Sequence, residues 1–160
     1  MNNKPWTELV GKKCWHVSAG PPTAPSFLVA LGEKIPRRLA LKNQAQPDAY
    51  ARFRGSVELL VFCSWRLQTA DEVLATSDQE ELGLEPLRRL VGAEVVAVSC
   101  AGPAWDLQVD FADGRTLLVF CDRLAPGSSP ETNWEIFLPD TVASAGPGSK
   151  LIMEVPSGVL

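Results

Sequence analysis

Side chains able to do chemistry fall into three small groups in this chain. Asp106, Gln108 and Asp110 alternate with Leu107, Val109 and Phe111, and Asp113 follows in an Asp-Gly-Arg turn. Paired carboxylates can move protons or hold a metal, but period-two alternation also marks the solvated face of a strand. The expectation is therefore an exposed acidic patch of Asp106, Asp110 and Asp113 that meets a basic partner. Trp65 and Arg66 form the second group. Trp65 reads first as a core anchor; with Arg66 it also has the composition of a protein-binding hot spot. Cys14 and His16 form the third. Regular alternation puts Cys14, His16 and Ser18 on one strand face and Trp15 and Val17 on the other. A thiol and an imidazole two residues apart would be separated by about 6–7 Å along a strand, which is poor geometry for proton transfer.

Other chemistries find little support. His16 is the only histidine, which leaves acid–base catalysis few candidates. There is no Walker-type loop, no dinucleotide Gly-x-Gly-x-x-Gly and no Cys-x-x-Cys pair. A non-enzymatic protein with no cofactor and no metal is expected. Lys34, Arg37, Arg38, Lys42, Arg52 and Arg54 surround Tyr50 and Phe53, a mixture able to contact phosphates and stack on bases. The net charge of −4 argues for a solvated basic loop instead of nucleic-acid binding.

The elements that must position these residues recur. Residues 4–11 read Lys-Pro-Trp-Thr-Glu-Leu-Val-Gly and residues 85–92 read Glu-Pro-Leu-Arg-Arg-Leu-Val-Gly, so Pro5 and Pro86, like Gly11 and Gly92, lie 81 apart. The offset falls to 69 for Trp65/Trp134, Asp71/Asp140 and Val73/Val142. Each copy predicts one short helix with Pro near its start and Gly after its end, then about five strands. In the first copy these are residues 13–19, 26–31, 38–41, 57–68 and 73–75, with a turn at 31–34 and an exposed loop at 42–55. In the second they are 94–101, 106–111, 116–120, 133–138 and 142–144, with a helix starting near Ser77 and interrupted by Gly83 and Pro86. Residues 151–155 add a last strand. The outward positions Ser26, Leu28 and Ala30 are more apolar than their counterparts Asp106, Gln108 and Asp110. That predicts a first-copy strand covered on both faces, by the other half, the carboxy-terminal strand or another chain.

The fold class expected is α+β, predominantly antiparallel β-sheet, with an internal duplication of a helix-plus-five-strand unit forming one pseudo-two-fold core. Residues 1–160 would be a single domain made of two repeats, about 4–78 and 79–156. A chain of this length buries most of its apolar surface without staples. No apolar run exceeds five residues, whereas a membrane-spanning helix needs about 20. The amino terminus lacks the apolar stretch of a secretory leader. A cytoplasmic location is expected, with all four cysteines reduced. Residues 1–78 carry +3 and residues 79–160 carry −7, an asymmetry that suits steering toward a charged partner, attraction between the halves, or a homodimer.

Phe62-Cys63-Ser64-Trp65-Arg66-Leu67 resembles the Cys-Pro-Trp-Arg segment of a group of small bacterial proteins of uncharacterised function, with Ser64 where that group has Pro. Asp106 to Gly114 and Asn133-Trp134 are similar to two further segments of the group. The resemblance implies no catalytic residues. Some of its members look like immunity proteins, so it implies a protein partner, conceivably a basic toxin neutralised by binding. The competing expectation is a small-ligand-binding protein or an enzyme with its site in the crevice between the repeats.

Overall fold

In the computed structural model, residues 4–19, 26–42, 46–78, 84–124 and 132–155 are described. They contain eleven strands: β1 (Cys14–Ala19), β2 (Phe27–Pro36), β3 (Phe53–Val61), β4 (Ser64–Gln68), β5 (Val73–Thr76), β6 (Val95–Ala101), β7 (Asp106–Phe111), β8 (Thr116–Phe120), β9 (Trp134–Phe137), β10 (Val142–Ala145) and β11 (Leu151–Glu154). Two short α-helices, α1 (Asp48–Arg52) and α2 (Leu84–Arg88), and a 3-10 helix at Pro5–Leu9 complete the described elements. Every strand pairing is antiparallel. The fold is α+β and mostly antiparallel sheet.

The strands form two sheets, in the orders β1-β2-β3-β9-β10-β11 and β5-β4-β8-β7-β6. The chain crosses from the first to the second between β3 and β4 and back between β8 and β9, so each sheet combines strands from both halves. The inner faces meet in one core around Trp65, Trp134, Phe27, Leu9 and Leu87. Trp65 is the second residue of β4 and Trp134 the first of β9; they are 2% and 0% exposed and pair with Val119 and Val61 respectively. Where the two halves touch, the hydrogen bonds are reciprocal. Gly11 N–H donates to Val95 O (2.8 Å) while Gly92 N–H donates to Cys14 O (2.7 Å); Cys14 N–H donates to Ala93 O (2.8 Å) while Val95 N–H donates to Lys12 O (2.9 Å). Gly11 and Gly92 have φ of 83° and 94°, the left-handed conformation that lets the chain turn out of each helix.

Several expectations change. The turn predicted at 31–34 is a bulge: β2 runs through it to Pro36, and its return strand is β3, not residues 38–41. Gly32 (φ 79°) and Gly55 make this passage, since a Cβ on Gly55 would lie 2.8 Å from the backbone N and O of Leu31. The single strand predicted over 57–68 is β3 and β4 in different sheets, divided at Phe62-Cys63. Pro86 lies inside α2 without ending it, and of the predicted helix start residues 79–83 lie outside the described ones.

Candidate functional site

α1 was not expected. It lies within the presumed exposed loop, and its Tyr50 is 6% exposed because it caps the outer face of β1–β3. The cover predicted for this face is thus a segment of the same half. A second surprise orients the site. A bulge between Cys14 and His16 breaks the alternation, so Cys14 turns into the core and His16 and Ser18 turn outward. Cys14 and His16 therefore cannot act together; burial also pushes the Cys14 thiol up to about 12.

On the outer face, His16 stacks on Tyr50 with ring centroids 4.2 Å apart. His16 Nε2 lies 3.0 Å from Ser18 Oγ, and Ser18 Oγ donates to Gln46 Oε1 at 3.1 Å. Because the serine proton is committed to Gln46, the imidazole is the donor to Ser18. This polarity is opposite to the one that activates a serine nucleophile. Burial lowers the His16 pKa and the Arg37 charge adds to that, so the ring is neutral. Arg37 lies 4.5 Å over the Tyr50 ring and donates from Nε to Tyr50 O (2.9 Å) and Phe53 O (3.1 Å). Behind Tyr50, Glu58 is 6% exposed. Its burial raises its pKa against the pull of Arg37 and the Tyr50 hydrogen bond, and burial pushes Tyr50 itself up to about 12. The site holds its hydrogen-bonding groups in fixed orientations around a neutral imidazole.

Beside this chain is a cavity of about 380 Å³ with an apolar lining of Phe27, Leu28, Leu60 and Phe62 and a polar one of Ser18, Ser26, Gln46 and Tyr50. No charged residue lines it. A larger crevice of about 680 Å³ lies between segments of the two halves, where the sequence suggested a site. Its walls carry both signs of charge on Glu8, Lys12, Lys13, Glu33 and Asp140. Among the described residues, no group of three or more His, Cys, Asp or Glu could hold a metal ion, and no helix is long and apolar enough to cross a membrane.

The residues singled out in the sequence gather on the other sheet. Asp106 and Asp110 project from the outer face of β7, and Asp113 lies in the next turn. Each carboxylate has an internal donor: Cys121 N–H to Asp106 (2.7 Å), Thr116 Oγ1 to Asp110 (2.8 Å), and the Arg115 guanidinium to Asp113, which holds the Asp113 carboxyl below its usual range. Arg66 is on the same face, 5.3 Å from the ring of the exposed Phe120. Trp65 is not: its ring lies inside the core, edge-on to Phe27, so it presents no surface to a partner. Of the predicted basic cluster, Lys34, Arg38, Lys42 and Arg52 are exposed, as a solvated loop requires, while Arg37 lies against Tyr50 and Lys34 reaches 5.0 Å over Trp15.

No protein-family model, curated protein or solved structure matches this chain.

Proposed function

We propose that the protein binds a small neutral molecule, mostly apolar with one or two hydrogen-bonding groups, in the cavity beside Tyr50. The cavity itself carries the reading: about 380 Å³, an apolar floor, and hydrogen-bonding groups already fixed by the His16–Ser18–Gln46 chain. A charged ligand would lack a counter-ion in this lining. The neutral fluorophore N-phenyl-1-naphthylamine serves as a probe. Saturable binding at one site is expected, and Leu28→Trp should fill the space and weaken it at least tenfold with the melting temperature little changed. Binding that is unaffected by Leu28→Trp overturns the proposal.

A second reading rests on the outer face of the five-stranded sheet, where Asp106, Asp110, Arg66 and Phe120 stand together. It is the face of a module that recognises a basic protein, as an immunity protein recognises its toxin. Replacing Asp106, Asp110 and Asp113 by Asn should slow association with a basic partner at low salt and matter less at high salt. Unchanged on-rates in the folded triple variant would remove this face from consideration.

We further infer that the halves derive from one duplicated unit. The reciprocal hydrogen bonds at a constant offset of 81 support it. So does the pentapeptide Leu-Leu-Val-Phe-Cys, present both at residues 59–63 and at residues 117–121, where β3 and β8 leave their sheets.

A further inference from the structure

Three of the four cysteines converge at one end of the core, around the carbonyl of Trp105. Cys121 Sγ donates to Trp105 O at 3.3 Å, Cys100 Sγ donates to it at 3.6 Å, and Trp134 Nε1 donates to it at 2.8 Å. Trp105 is the only described non-glycine residue with positive φ (70°), a conformation that persists only where its surroundings hold it. Here the three donors to its carbonyl hold it. Cys63 joins the group from the crossover between β3 and β4. Ser64 pairs with Phe120 in the β4–β8 ladder, so one residue further along the same register brings Cys63 opposite Cys121. The two side chains are within hydrogen-bonding reach of each other. Ser64 and Phe120 are the last pair of that ladder, and opposed residues have Cα atoms about 4.5–5.5 Å apart, so the cysteines next to them lie close to the range a disulfide spans. Cys100 is on β6, two strands from β8, and shares the Trp105 carbonyl oxygen with Cys121.

Access differs between the two thiols. Cys63 is buried at 6% exposure, while Cys121 is only partly buried. A recess of about 340 Å³ opens at Cys63, lined also by Ser64, Ser77 and the neighbours of Cys121 in sequence, Asp122 and Arg123. We propose that Cys63 and Cys121 are a redox-active dithiol, oxidised by peroxides to a disulfide that fastens the β3–β4 crossover to the end of β8. The Cys121 thiolate attacks one oxygen of the peroxide; the O–O bond breaks, leaving a sulfenic acid on Cys121 and a hydroxide that takes up the proton released by the thiol. Cys63 then attacks the sulfenic sulfur; the S–S bond forms, the S–O bond breaks, and the Cys63 proton leaves with the hydroxyl as a second water. Two thiols and one hydrogen peroxide give one disulfide and two waters. The lesser burial of Cys121 assigns it the first attack; Cys63, held protonated by its hydrogen bond to Cys121 first and by burial second, gives up its proton in the second step as the hydroxyl departs. Because a thiolate is the nucleophile in both steps, the reaction should quicken as pH rises.

The test treats the folded protein with hydrogen peroxide and counts alkylatable thiols by mass. The number should fall from four to two, with a tryptic cross-link joining Cys63 to Cys121. Cys14→Ser and Cys100→Ser should leave the cross-link intact. Cys63→Ser, or Cys63→Ala should the first variant fold poorly, should stop at a Cys121 sulfenic acid trapped by dimedone. A cross-link between Cys100 and Cys121 overturns the assignment, as does the persistence of four free thiols after excess peroxide.

Discussion

Glu58 and His16 both contact Tyr50, and burial shifts them in opposite directions. The Glu58 pKa is raised above 4.5, so the folded protein keeps a proton that the unfolded chain has released. Its stabilisation is complete below pH 4.5 and is lost as pH climbs through the raised value. His16 is lowered from 6.5, so its contribution is complete above that pH and is lost as pH falls through the lowered value. Glu58→Gln keeps an acceptor for Tyr50 and removes the ionisation. The variant should match wild type at pH 4 and exceed it by about 1 kcal/mol at pH 8, the order of a buried charge made neutral while its hydrogen bond survives. Melting temperatures of both proteins across that range check this; parallel curves would mean that folding leaves the Glu58 pKa unraised. His16 should keep its own acid-side loss in either protein.

At the scale of elements, the β2–β3 hairpin decides where the cavity can form. Gly55→Ala places a methyl against the backbone of Leu31, with no side chain to move aside, so it should destabilise by about 1–3 kcal/mol and disturb probe binding as well. A chemical denaturation curve that overlays wild type would show that the hairpin yields without cost. This hairpin is also where sequence reading fell short. Leu31-Gly32-Glu33-Lys34 has the composition of a turn, and Gly32 does adopt positive φ, but the same conformation serves a bulge, and local composition does not separate the two. Taking residues 38–41 as the return strand then hid α1, a single helical turn too short to leave a periodic signal. The repeated Leu-Leu-Val-Phe-Cys was the available clue, since it aligns β3 with β8 directly. Strands with clean alternation, such as β7, and helices framed by Pro and Gly were readable because burial on one face dictates the period. Cys14 and His16 were placed on one face because an extra residue in a strand is set by its partner, which a single strand's sequence does not contain.

Across the whole molecule, neither sheet is complete without strands from both halves. Unfolding should therefore be one transition, seen at the same denaturant concentration by tryptophan fluorescence and by far-ultraviolet circular dichroism. Two separated transitions would indicate that the halves melt independently. The same arrangement has a consequence for assembly. Residues 1–78 and 79–160, produced as separate polypeptides, should each remain largely unfolded and should recover the native spectrum when mixed, to a degree that depends on concentration. In the intact chain only five residues, 79–83, separate the last described residue of the first half from the first of the second. A short tether sets an effective concentration on the order of millimolar. Pairing that two fragments would reach only by colliding is thereby made a unimolecular step, and the folded fraction becomes independent of how much protein is present.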